Sequence, residues 1–145
     1  SPRQNRNIPP LNYQKVYSIK DDFPDLEIII NGGIKNISEV KKHLNFVDGV
    51  MLGRAAYDDP FMLSDIDSEI YANTKIEISR KDLLTEYLDY VHLMTKKGYD
   101  PKIMLKHVFG LKKGEKDAKR FRVKVAEIMN SSSLVENKDE LLSMV

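Results

Sequence analysis

Apolar positions along this chain change their period near residue 72, from short runs broken by glycine to a sustained three-and-four spacing. Pro9-Pro10 closes an irregular leader, and Tyr13, Val16, Tyr17 and Ile19 then predict a short amphipathic helix ending at Asp21-Asp22-Phe23-Pro24. Leu26-Glu27-Ile28-Ile29-Ile30 is nearly continuous and β-branched, which predicts a strand buried on both faces and ended by Asn31-Gly32-Gly33. Ser38 is placed to cap a helix reaching Asn45, with Ile37, Val40 and Leu44 inward. A second strand over Asp48–Leu52 stops at Gly53-Arg54, and a short helix from Ala55 to Leu63 follows, limited by Pro60. Two strands joined by a helix must be parallel, with a right-handed crossover. Their glycine turns then emerge side by side at the carboxyl edge of the sheet, where α/β folds place ligands.

The second stretch predicts helices only. Ser79 with Asp82 resembles a capping box, after which Leu83, Leu84, Tyr87, Leu88, Val91 and Met94 form one face and Gly98 ends the helix. Asp100-Pro101 reads as an N-cap with proline in the first turn, followed by Met104, Leu105, Val108 and Leu111 inward. A third helix starts at Asp117 with Ala118, Phe121, Val125, Ile128 and Met129 on its apolar face, and a fourth spans Asn137–Met144. The expected architecture is therefore α/β over residues 1–72 and all-α, a small helical bundle, over residues 76–145.

With 145 residues and 41% hydrophobic positions, the chain holds one domain or two small ones; wholesale disorder, collagen and membrane spans are excluded as classes. Zero cysteines exclude disulfides, thiolate metal sites and a cysteine nucleophile on this chain. His43, His92 and His107 fall on three separate predicted helices without carboxylates at ligand spacing, so no metal site is expected. The polar opening Ser1-Pro2-Arg3 lacks both Met and a signal peptide, which predicts a cytoplasmic protein, trimmed or part of a longer one.

Charge is uneven although the total is only +1. Residues 1–95 balance to −4, residues 96–124 to +8 and residues 125–145 to −3. A block of that sign predicts contact with nucleic-acid phosphates more than a merely solvated helix face. The turns Asn31-Gly32-Gly33 and Gly53-Arg54 suit a different anion: backbone N–H groups open to close approach, beside a guanidinium able to grip a phosphate. The pattern alone leaves that reading level with two tight turns.

Ile30-Asn31-Gly32-Gly33-Ile34, Asp48-Gly49-Val50-Met51-Leu52-Gly53-Arg54-Ala55-Ala56-Tyr57 and Pro60 together resemble the flavin-phosphate end of the tRNA-dihydrouridine synthases. Ser1-Pro2-Arg3-Gln4-Asn5-Arg6 with Ile8-Pro9-Pro10-Leu11 and Tyr13 is similar to the A subfamily, as is Asp117-Ala118-Lys119-Arg120-Phe121-Arg122. The resemblance implies the C-terminal end of a TIM (β/α)8 barrel that binds FMN, followed by a helical tRNA-binding domain. It further implies reduction of a uridine in the tRNA D-loop to dihydrouridine, with NADPH as electron donor. By position, Asn31, Gly32, Gly33, Gly53 and Arg54 would bind FMN, and Arg3, Arg6, Lys119 and Arg122 would touch tRNA. Lys119 stands where the family has Arg, and Asp117 where it has Gly.

The family's proton-donating Cys and its earlier barrel strands have no counterpart here, so no catalytic residue is assigned to this chain. A whole barrel needs about 250 residues. The expectation is the C-terminal part of a longer enzyme, inactive alone and prone to associate through an exposed apolar face and unpaired strand edges. Two other readings compete: a different phosphate-binding barrel oxidoreductase with helices for oligomerisation, and a stand-alone RNA-binding helical module.

Overall fold

A computed structural model describes residues 10–71, 74, 77–131 and 134–145. In chain order these form α1 (Tyr13–Asp22), β1 (Ile29–Asn31), α2 (Ile37–Leu44), β2 (Gly49–Met51), α3 (Arg54–Asp58), a 3-10 turn (Pro60–Asp65) and α4 (Ile66–Glu69). Then come α5 (Arg80–Lys96), α6 (Pro101–Leu105), a second 3-10 turn (Lys106–Val108), α7 (Ala118–Ser131) and α8 (Leu134–Leu142).

The strands pair in parallel, Ile29 with Gly49, Ile30 with Val50 and Asn31 with Met51, as the helical crossover requires. Ile30 is 2% exposed and anchors the first core with Tyr17, Ile34, Val40 and Val47. Its neighbour Ile29 is 61% exposed, which corrects the expectation of burial on both faces. One face of a two-stranded sheet is covered by α1 and α2, and the β-branched residues of the other remain in solvent. Phe23, Leu26 and Met51 are exposed too, so this part of the chain carries the open apolar surface expected of an incomplete sheet.

Local chemistry moves several boundaries. Asn36, not Ser38, caps α2: its side chain accepts from the Glu39 N–H at 2.9 Å. Pro60 does more than shorten one helix. It splits the expected 55–63 helix into α3 and a 3-10 turn, because its ring cannot accompany an N–H into the ladder. Ser79 Oγ accepts from the Asp82 N–H at 3.0 Å and donates to the Asp82 carboxylate at 2.6 Å, a variant of the expected box. Asp100 Oδ1 accepts from the Lys102 N–H at 2.8 Å, but α6 ends at Leu105, so Val108 and Leu111 reach the core from a 3-10 turn and a loop.

α5 packs on α6 and α8, and α7 packs on the same two helices. Leu84, Leu88, Val91, Leu105, Phe121, Val125, Ile128 and Leu141 are buried among them. The two cores are not insulated from each other. Phe61, from the turn after α3, packs into this second core with the Arg80 guanidinium 3.9 Å above its ring.

One buried polar contact sits in the first core. His43 is 5% exposed, with Nδ1 2.6 Å from the Tyr17 hydroxyl oxygen and its ring against the edge of Tyr13. Burial, reinforced by Lys42 and opposed by Glu39, holds its pKa below the ordinary histidine value. The unfolded chain therefore takes up a proton near pH 6.5 that the folded chain refuses. His43 stabilises fully above that pH, and its contribution falls as the medium is acidified. We expect the urea midpoint to drop between pH 7.5 and 5.5, and His43→Gln to flatten that dependence.

Candidate anion and nucleic-acid sites

The site begins with two glycines that no other residue replaces comfortably. Gly32 and Gly33 have φ of 124° and 68°, in the region that disfavours side chains. A Cβ at either would also lie 3.0 Å from the Leu11 side chain. The Tyr13 hydroxyl donates to the Gly32 carbonyl at 2.6 Å. Because the peptide plane is trans, that bond turns the Gly33 N–H away from Tyr13.

One strand later, β2 gives way to Gly53, and α3 begins at Arg54. The first N–H groups of α3 have no intrahelical acceptor, and no side chain caps them. A five-residue helix has little dipole, so the positive character here comes chiefly from the guanidinium of Arg54, which is exposed.

The parallel register brings these turns to one place. A hollow of about 700 Å³ is lined by Asn31, Gly32, Gly33 and Ile34 from the first turn, and by Met51, Gly53, Arg54 and Ala55 from the second. All five residues expected at the phosphate thus share one cavity, of the size used for small-molecule sites. Lys35, Asp58 and Lys113 complete the lining. Lys35 was legible two positions beyond Gly33. Asp58 and Lys113 were not: nothing in the spacing links residue 113, in the helical half, to turns near 32 and 53. Three cations face one carboxylate, so the hollow favours a multiply charged anion.

The expected tRNA contacts divide differently. Arg3 and Arg6 lie outside the described residues. Lys119 and Arg122 are both exposed on α7, while Phe121 between them is fully buried, so one helix serves the core and presents cations outward. Not all of the basic block is free. Lys124 pairs with Glu140 at 2.6 Å, and Lys112 donates to the Met144 carbonyl.

Asp117, where the family resemblance places Gly, has φ 62° and accepts from the Phe121 N–H at 3.0 Å. Aspartate tolerates this left-handed geometry better than most residues, and its charge suits a helix start. Asp117→Ala is therefore expected to be less stable than Asp117→Gly by about 1 kcal/mol, measured by urea unfolding of the two variants.

Among the described residues no cluster of three or more His, Asp or Glu could hold a metal ion, and no helix is long and apolar enough to cross a membrane.

Two parallel strands that end in glycine turns around one cationic hollow have the form of the ligand edge of an α/β fold. The chain belongs to the dihydrouridine synthase family, whose model matches residues 1–144. It is 42% identical over 122 residues to a tRNA-dihydrouridine(20/20a) synthase of Pseudomonas putida, covering 84% of this chain and 36% of that protein. A protein of the same name from Haemophilus ducreyi is 41% identical over 127 residues, covering 88% and 39%. Another, from Synechocystis sp., is 41% identical over 122 residues, covering 84% and 36%. The chain spans little more than a third of the length of these relatives.

Proposed function

We propose that this chain is the C-terminal part of an FMN-dependent tRNA-dihydrouridine synthase and supplies the flavin-phosphate cradle and a tRNA-binding surface. The observation that carries the reading is the convergence of Asn31–Gly33 and Gly53–Arg54 on one hollow. The residues present fit FMN: two glycine turns and the uncapped start of α3 lining one hollow, and a guanidinium for the phosphate beside them. When bound, FMN would supply the hydride, drawn from NADPH, that reduces the C5–C6 double bond of a D-loop uridine.

This chain's residues would do the holding. Arg54 would neutralise the phosphate, and the Gly33 N–H would donate to it while Tyr13 fixes the turn. Lys119 and Arg122, with Arg3 and Arg6 from the leader, would grip the tRNA backbone so that the target nucleotide is presented outside its stack. The proton required at the second uracil carbon must come from a group elsewhere in the enzyme, since this chain has no cysteine. The TIM barrel, completed by the preceding part of the enzyme, would cover Ile29, Leu26 and Met51. In keeping with tRNA work, the reaction would take place in the cytoplasm.

Binding of tRNA by the chain tests the reading without needing the barrel. We expect affinity to fall steeply with salt, and Lys119→Ala and Arg122→Ala each to reduce the log–log salt slope by about 1. Unchanged slopes would remove α7 from the tRNA surface. The chain alone should form no dihydrouridine in tRNA carrying the 20/20a uridines named by its relatives, and the longer enzyme should.

A further inference from the structure

Lys113 belongs to the helical half of the chain, yet it lines the hollow built by the two glycine turns. The loop that carries it is fixed at two points. Leu111 is buried in the second core, and its carbonyl accepts from Arg80 Nε at 3.0 Å. Gly110 lies directly against the end of α3: a Cβ there would sit 2.5 Å from the Asp58 carbonyl oxygen and 2.9 Å from Pro60 Cδ. The Lys113 N–H donates back to the Gly110 carbonyl at 3.0 Å, closing the turn. His107, just before this loop, meets the Tyr57 ring edge-on at 5.6 Å, a second contact between the same two elements. The backbone at Lys113 is thereby set beside α3, while its ammonium makes no ion pair among the described residues.

We propose that Lys113 is a third binding cation for the flavin phosphate, after Arg54 and Lys35, so that FMN binding ties the helical half of the chain to the strand edge. This deepens the phosphate reading and rests on it. The charge count supports it: with Asp58 in the lining, Arg54 alone would leave the hollow neutral, whereas Lys35 and Lys113 make it a match for a dianion. The two halves then meet across the ligand as well as through Phe61 and Arg80. The remaining exposed lysines of the basic block stay available to tRNA, and Lys113 does not join them.

The test compares FMN with riboflavin, which lacks only the phosphate, by following amide resonances of the full chain and its variants. FMN is expected to shift Gly32, Gly33 and Gly53. Lys113→Ala should raise the FMN dissociation constant about five-fold and leave that for riboflavin unchanged. Lys113→Arg should keep FMN affinity, and Lys106→Ala, in the same basic block but away from the hollow, should have no effect. If Arg54→Ala weakens FMN and Lys113→Ala does not, the inference falls while the phosphate site stands. If FMN moves none of these amides, or neither variant matters, the phosphate reading falls and takes the inference with it. Equal weakening of riboflavin, or loss of tRNA affinity alone, would also overturn the role given to Lys113.

Discussion

Arg54→Ala is expected to weaken FMN binding by about 1.5–3 kcal/mol, roughly ten- to a hundred-fold, and to leave riboflavin binding nearly unchanged. The guanidinium lines the hollow beside both glycine turns and makes no ion pair among the described residues, so its charge is available to a ligand. Lys should restore only part of the loss, because a point charge cannot reproduce bidentate geometry. Stability without ligand should barely change, since the side chain is exposed and supports no packing. Calorimetric titration with the two flavins gives the comparison. Equal losses for both would place Arg54 outside the phosphate contact.

Gly110→Ala is the second large effect, and it acts through packing. A methyl group 2.5 Å from a backbone oxygen cannot be absorbed by a rotamer change, so either the loop or α3 must move. A loss of about 1–3 kcal/mol in unfolding free energy is expected. The same shift carries Lys113 away from the hollow, so FMN affinity should fall along with stability. Gly98→Ala offers a contrast: its φ of 91° carries a left-handed penalty that Gly110 does not have, and nothing lies within 4 Å of its added Cβ. It should cost stability without touching flavin binding.

Much of this site was legible because its signals are local. A β-branched run followed by Asn31-Gly32-Gly33, and a second run followed by Gly53-Arg54, fix a strand and its turn within a few residues. The helix between them then forces the parallel register that brings both turns to one edge. Phe121 between outward-facing Lys119 and Arg122 was equally legible, since helical period alone separates core from surface. What could not be read depends on tertiary placement. The exposure of Ile29 follows from which strands are present, not from its own sequence. Asn36 caps α2 in place of Ser38 because the helix already begins at Ile37, two residues before a Ser38 cap would start it. Lys113 reaches the hollow only because Gly110 lets two backbones touch, and a lone glycine before a basic run carries no such message.

The central claim is that one phosphate is held jointly by two turns from successive strands, and a structure of this chain bound to FMN tests it most directly. Phosphate oxygens are expected within about 3 Å of N–H groups from both the Gly32-Gly33 turn and the start of α3, with Arg54 alongside. A phosphate touching one turn only, or bound outside the hollow, would contradict it.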